Sequence, residues 1–467
     1  MPSQHPLELP EILSHIASYV HKRSRPSCAR VSKGWYQAFI PLIWKDINLT
    51  PHRPELEAMP RYSHHVKKLN VDVRNLILDL PQCPNLQSLT LTKYLGSTEM
   101  VLHHSHMTHL WINQEQLLPE LWTILPQLHS LRELGLSTTN VSEQETDTLW
   151  QLCTRLEGLI VFGVSIPHQG QLSSMTFPSL KKLTVGYLKD FSTILEFMSR
   201  CPSLAVLRLF GSPYRRDAYG LAERIAAKTW PHLHSFSLEL QKIPEEELIS
   251  IIKNLQQITC LETECISSIQ PGTMDLLRPH FTSLTYLNLG PDAEPSTSRI
   301  AQEILSSCPL LERVMLAHID TTAVAEGKPW VCTRLRFLAM HFQFDPLTIS
   351  EIQPRVFEQI ARLYRLKLLW LCRSFNKPPF QTAVDLRLEN GLDKLSTLRS
   401  LRDIIFGNSI QKMGEREIEW MLGHWTSLDR MSGICNGVDP VMQEKLVQLL
   451  NEHGVRFDLK SLYRKVQ

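Results

Sequence analysis

The residues best able to do chemistry in this chain are its histidines and cysteines, and their spacing points away from catalysis. The run HHSHMTH gathers His103, His104, His106 and His109. His104 and His109 are not at the i, i+4 spacing of a helical metal pair, and no carboxylate or cysteine pair completes a zinc site. A solvated loop is expected there, and His64–His65 reads as a loop before a strand. Ten cysteines are scattered without a C-x-x-C pair, so neither a redox motif nor a disulfide framework is indicated. Cys83, Cys201 and Cys308 fall at matching places in a recurring unit, where small buried packing residues are expected. They read as free thiols in a reducing compartment. No G-x-S-x-G, P-loop or H-E-x-x-H occurs, and no thiol has an identifiable basic or histidine-paired setting. The chain is expected to be no enzyme and to need neither cofactor nor metal.

Composition excludes further classes. The formal net charge is +2, from 49 basic and 47 acidic residues. That balance argues against nucleic acid or a membrane surface as the main partner, and no basic stripe for RNA stands out. No apolar run approaches the roughly 18 residues that span a bilayer. The start, MPSQHPLELPEIL, lacks the basic head and long apolar middle of a secretory signal. A cytoplasmic and/or nuclear location is expected.

Five stretches share one pattern: FPSLKKLTV, CPSLAVLRL, CPNLQSLTL, FTSLTYLNL and CPLLERVML. Each has apolar residues spaced L-x-x-L-x-L. The lead apolar residue of each unit is placed at Val66, Leu86, Met107, Leu131, Leu156, Leu180, Leu204, Leu233, Ile258, Leu284, Leu311, Leu335, Leu366, Leu401 and Leu428. A period of roughly 20–30 residues signals a solenoid. The last two apolar residues of a unit lie two apart, so a short strand points both inward. Helical spacing follows many strands: Ile194, Leu195 and Met198; Leu248, Ile251, Ile252 and Leu255; Ile300, Ile304 and Leu305, with Ser298 as the expected cap. Ser192–Arg200 and VFEQIARL are expected helices of this kind. Strand, loop, helix, loop resembles the leucine-rich-repeat family over roughly 66–431. The resemblance implies an α/β repeat solenoid, a horseshoe with parallel strands inside and helices outside, of about 15 irregular units.

The first fifty residues do not share the repeat. Leu9-Pro10 is a helix start, and Ile12, Leu13, Ile16 and Val20 follow at helical spacing. HKRSRP is a basic turn. Val31, Trp35 and Phe39 lie four apart on one expected helical face, which Pro41 should end or bend. Leu42, Ile43 and Trp44 precede an expected strand at Ile47–Leu49. A module this short leaves apolar groups over for another surface. The blocks LPEILSHI, CARVSKGW and LIW resemble an F-box, of the fungal type that precedes leucine-rich repeats. Several units carry Cys-Pro before the lead leucine, as such repeats do.

The resemblance implies the substrate receptor of a cullin-RING ubiquitin ligase, with a Skp-type adaptor on the F-box and an unknown protein target on the repeats. The positions matching the motif are Leu9, Pro10, Ile12, Ile16, Val31, Trp35, Leu42 and Trp44. The sequence departs from the family at HKRSRPS, where a leucine is usual and Pro26 stands instead. The alternative is a repeat scaffold or inhibitor whose N-terminal module is a degenerate F-box or only a solenoid cap. The expected organisation is an F-box helical module over 1–49, a connector over 50–65, the solenoid over 66–431 and a C-terminal cap over 432–467, with Trp420 and Trp425 near its start.

The variable residues beside the inward leucines should line the inner strand face. Early units supply Ser88, Thr90, Thr92, Glu133, Ser137 and Gly158. Later ones supply Arg208, Asn288, Arg313 and Met315, with Phe162, Phe210, Tyr286, Phe337, His341 and Trp370 as candidate target-binding residues. Aromatic and arginine side chains are favoured interface anchors. Replacing Phe210, Phe337 and Trp370 together by alanine is expected to abolish capture of a protein partner while leaving the N-terminal module's binding intact. Pull-down of a captured partner with the variant checks this, and unchanged capture would contradict it.

Overall fold

The computed structural model describes residues 9–20, 22, 24–49, 55–72, 81–92, 98–114, 119–137, 141–163, 172–186, 191–211, 220–239, 245–263, 271–289, 298–345, 347–371 and 384–458. Glu8, the front of the expected connector and the end of the expected cap lie outside them. The chain forms two compact units, Met1–Ala205 and Val206–Gln467.

The first unit opens with three helices, α1 (Pro10–Tyr19), α2 (Arg25–Cys28) and α3 (Lys33–Trp44). Among the described residues, seven strands follow: β1 (Asp46–Leu49), β2 (Lys68–Asp72), β3 (Ser88–Thr92), β4 (His109–Asn113), β5 (Glu133–Ser137), β6 (Gly158–Phe162) and β7 (Lys182–Gly186). Each pairs in parallel with the next. The second unit holds β8 (Val206–Phe210), β9 (Ser235–Glu239), β10 (Cys260–Thr263), β11 (Tyr286–Asn288), β12 (Arg313–Asp320) and β13 (Phe337–Gln343). It continues with β14 (Leu368–Trp370), β15 (Asp403–Ile410), β16 (Arg430–Ile434) and β17 (Arg456–Asp458), again all parallel and in chain order. Parallel neighbours require a crossover, and short helices supply many of them. Both units are therefore α/β leucine-rich-repeat solenoids. Among the described residues, no helix is long and apolar enough to cross a membrane.

Every expected lead residue from Val66 to Leu428 lies two residues before a strand and is buried. The next two apolar residues of each unit, such as Leu183 and Val185 or Leu207 and Leu209, are buried as well. Within each unit, the residue after most lead positions places its carbonyl between two N–H groups at the start of the following strand. Thr108 O accepts from Arg132 N and Glu133 N, and Glu312 O accepts from Arg336 N and Phe337 N. A repeat thus satisfies its neighbour's backbone as well as covering its leucines, which is what makes a solenoid cooperative between neighbours.

The expected helices are present at Phe191–Ser199, Glu245–Asn254, Ser298–Ser307 and Ile349–Ala361. Ile194 and Met198, Leu248, Ile251 and Ile252, and Ile300, Ile304 and Leu305 are buried. Ser298 is the first described residue of its helix. Pro41 stands inside α3, which runs on to Trp44. At that depth a proline removes one helical N–H donor without stopping the chain. Val31 is not on α3 at all, because Ser32 caps the helix by accepting from Trp35 N–H at 3.4 Å.

The histidine run holds a structural residue where a solvated loop was expected. His104 is buried. Its Nδ1–H donates to Met100 O at 2.8 Å, and its Nε2 accepts from Cys83 N–H at 3.0 Å. His280 repeats the device, accepting from Ile258 N–H at 3.2 Å. Both rings join one repeat to the one before it, and both must be neutral to accept. Burial lowers both pKa values from the ordinary histidine value, and His103 and His106 add to this at His104. The unfolded chain then takes up protons that the folded chain refuses. Stability should be full above about pH 6.5 and fall as the pH drops below it. The melting temperature is expected to decrease between pH 7.5 and 5.5, and less steeply in a His104→Gln, His280→Gln variant. Equal slopes for the two proteins would contradict this.

Candidate functional site

Two kinds of surface are presented: the outside of the N-terminal helices and the outward face of the strands. In the helical module, Ala17, Ala29 and Phe39 form the core, with Val20, Cys28, Trp35, Ala38, Leu42 and Ile43 packed around them. Leu13 is buried too. Leu13, Ala17 and Val20 mark the inner side of α1, so Leu9, Ile12, Ile16 and Tyr19, spaced three and four apart, run along its other side. Of these, Leu9 and Ile12 are exposed, Tyr19 is 77% exposed and Ile16 is half-buried. Val31, at 65%, and Tyr36 are exposed as well.

The eight motif positions therefore divide. Leu9, Pro10, Ile12 and Val31 are exposed, while Ile16, Trp35 and Leu42 are half-buried. Trp35 lies nearly parallel to Phe39, at 5.4 Å between ring centroids. Trp44 is buried and stacks on Tyr62 at 4.8 Å. Two residues before β1, it occupies the place of a lead leucine and ties the module to the first strand. The HKRSRPS departure is accommodated by α2, which has Pro26 in its first turn, where no donor is lost. Arg25 stitches across it, Nε donating to Val20 O at 3.1 Å and Nη1 to Leu42 O at 3.2 Å.

On the strand face, cross-strand register decides which side chains meet. In the first unit Trp111 of β4 lies over Gly135 of β5, where a Cβ would come within 2.8 Å of the indole. The ring reaches towards Phe162 of β6, 6.2 Å away. Glu133 crosses the space left by Gly158 to pair with Lys182 of β7 at 2.7 Å, and it holds His109 of β4 at 3.5 Å.

The second unit carries a polar hub that sequence reasoning missed. Glu262 of β10 accepts from Ser237 Oγ at 2.8 Å, from Tyr286 Oη at 2.7 Å and from Asn288 Nδ2 at 3.0 Å. Burial and then the Glu262 carboxylate raise the Tyr286 phenol above its ordinary value. Arg313 of β12 rests between aromatic rings, 5.3 Å from Tyr286 and 5.1 Å from Phe337. Tyr286, Arg313 and Phe337 are register partners on consecutive strands. The only sequence signal for this cluster was that its members share ladder positions.

Phe162, Phe210, Tyr286, Phe337 and Trp370 are half-buried on their strands, but His341 is buried. It stands at the same repeat position as Phe162 and Phe210, six residues after its lead leucine, but β13 continues past it and its side chain is covered.

Four buried thiols are disfavoured as thiolates. Burial raises Cys83 to about 11, and Cys308, Cys332 and Cys435 to about 12. Among the described residues, no three His, Cys, Asp or Glu side chains come together as a metal site.

Residues 10–50 match a family model described as F-box-like. No curated protein matches the chain. Among solved structures, a leucine-rich-repeat protein of Leptospira interrogans is 17% identical, with 89% of this chain and 100% of that one covered and a TM-score of 0.38. An internalin of Listeria monocytogenes is 13% identical over 85% of this chain and 88% of its own, with a TM-score of 0.27. The TLR13–ssRNA13 complex is 12% identical over 86% of this chain and 65% of that chain, with a TM-score of 0.39. Likeness at this level carries nothing about partners. The chain has an F-box-like segment followed by leucine-rich repeats, the combination its sequence resembles.

Removing the Glu262 carboxylate leaves a phenol, an amide and a hydroxyl without their acceptor. Glu262→Ala is expected to cost about 1–3 kcal/mol, measured by chemical denaturation, and Glu262→Gln less. No loss in either variant would show the hub to be without consequence for stability.

Proposed function

We propose that this chain is the substrate-recognition subunit of an F-box type cullin-RING ubiquitin ligase. In this reading the N-terminal module binds a Skp-type adaptor and the strand face of the repeats holds a protein target. The observation that carries it is a coincidence in place. The segment matching the F-box-like model, 10–50, is the helical module that leaves Leu9, Ile12, Tyr19, Val31 and Tyr36 exposed. Half of the large hydrophobic side chains exposed among the described residues lie in these first positions. Such a concentration of apolar surface marks a protein-binding site. The solenoid supports the second half of the reading, since stacked repeats present a long surface with no enclosed cleft. The mechanism is proximity: holding target and transfer machinery on one scaffold raises their effective concentration, and the chemistry belongs to the partner.

Within this reading Leu9, Ile12 and Val31 contact the adaptor directly. Trp35 and Leu42 shape the module, and Trp44 anchors it to β1. The four-residue α2 at the HKRSRPS departure favours the second reading, a scaffold whose F-box has lost its adaptor. One experiment separates the two. The full chain is co-purified with a Skp-type adaptor beside a Leu9→Ala, Ile12→Ala, Val31→Ala variant. Stable binding by the wild type and at least tenfold weaker retention by an equally stable variant is expected. A folded wild-type chain that retains no adaptor would select the scaffold.

A further inference from the structure

The position after the lead leucine is basic in three consecutive repeats, and a second basic residue stands one or two places before that leucine. Around Leu335 stand Arg334 and Arg336, around Leu366 stand Arg365 and Lys367, and Arg399 and Arg402 stand near Leu401. All six side chains are exposed. None has a carboxylate within 4.0 Å among the described residues, although acidic side chains elsewhere on the strands are commonly paired.

The backbone fixes their proximity. Lys367 N donates to Arg336 O and Arg402 N to Lys367 O, so these residues occupy one ladder position on neighbouring strands. Neighbouring strands lie about 4.8 Å apart, so Arg336 to Arg402 spans about 10 Å. Like charges this close repel, and unpaired they call for an external anion.

The stripe is bounded. At the same ladder position the preceding repeat has Glu312 and the following one has Asp429. A long polyanion running along this edge would meet a carboxylate on either side. A short anionic segment would not. About 10 Å corresponds to about three residues of extended chain. On the adjoining strand face, Phe337, next in sequence to Arg336, and Trp370 of β14 are half-buried aromatic side chains.

We propose that the edge of β13–β15 is a docking site for an acidic peptide segment, one with three or four carboxylates within about four residues and an apolar side chain beside them. This rests on the reading that the repeats capture a protein, and it names the chemistry of the segment captured. A balanced net charge of +2 does not contradict it, because the stripe is local.

The test uses the full chain and an array of 12-residue peptides carrying zero to four glutamates in a four-residue window next to one leucine or phenylalanine. A (dT)12 oligonucleotide serves as the competing polyanion. Retention is expected to rise with glutamate number and to fall with added salt. Arg336→Gln, Lys367→Gln, Arg402→Gln should weaken it at least tenfold. A Lys67→Gln, Lys68→Gln, Lys253→Gln control should change it less than twofold. Melting temperatures and adaptor retention, measured on the same preparations, keep misfolding apart from lost docking. Absent binding, binding indifferent to glutamate number, an unaffected stripe variant, or displacement of every peptide by (dT)12 would overturn the proposal. If the peptides fail while the Phe210, Phe337, Trp370 replacement still abolishes capture of a partner, the acidic-segment proposal falls and the receptor reading stands.

Discussion

A single carbonyl just before a strand, shared between two N–H groups at the start of the next, is the contact on which the architecture of both units depends. It recurs from Lys45, which accepts from Lys67 and Lys68, to Arg402, which accepts from Asp429 and Arg430. It sets the register of neighbouring strands, and register aligns the buried leucines into continuous layers. No repeat could meet these demands alone, since a strand with one face of leucine needs a neighbour on each side to satisfy its backbone and cover its side chains. The loops between can then vary in length, as the step from Leu335 to Leu366 does, without disturbing the ladder.

The same register makes a surface. Residues far apart in sequence meet because they occupy equal ladder positions. Glu262 joins β9, β10 and β11, Arg313 is held by rings from both neighbouring strands, and Trp111 lies across Gly135. The side chains of the strand face are thus partly fixed by one another. Irregular segments on the other side are secured by buried amides: Gln353 donates to Asp385 O and Asn390 O, and Gln411 donates to Val384 O and accepts from Leu386 N–H.

The repeat positions were legible in the sequence because burial follows a fixed spacing, and every lead residue from Val66 to Leu428 is buried where the period put it. What escaped the sequence was set by partners rather than by spacing. Val31 fits a helical face by number, but the Ser32 cap begins the helix after it. Pro41 could end or bend the helix by its type alone, and packing of Leu42, Ile43 and Trp44 carries α3 past it. His104 sits in a polar run, and its bonds to Cys83 N–H and Met100 O satisfy it where it is buried. His341 and the Glu262 hub could be placed only once cross-strand neighbours were known. Trp44 matched the motif of the N-terminal module but works as the lead residue of β1.

The central claim is a division of labour: α1 to α3 dock an adaptor and the strand face stays free for a second protein. Hydrogen exchange of the full chain with and without a saturating Skp-type adaptor tests it most directly. The account predicts added protection confined to residues 9–44, with β2 to β17 exchanging as in the free chain. Protection spread along the strands, or none within 9–44 despite binding, would contradict it.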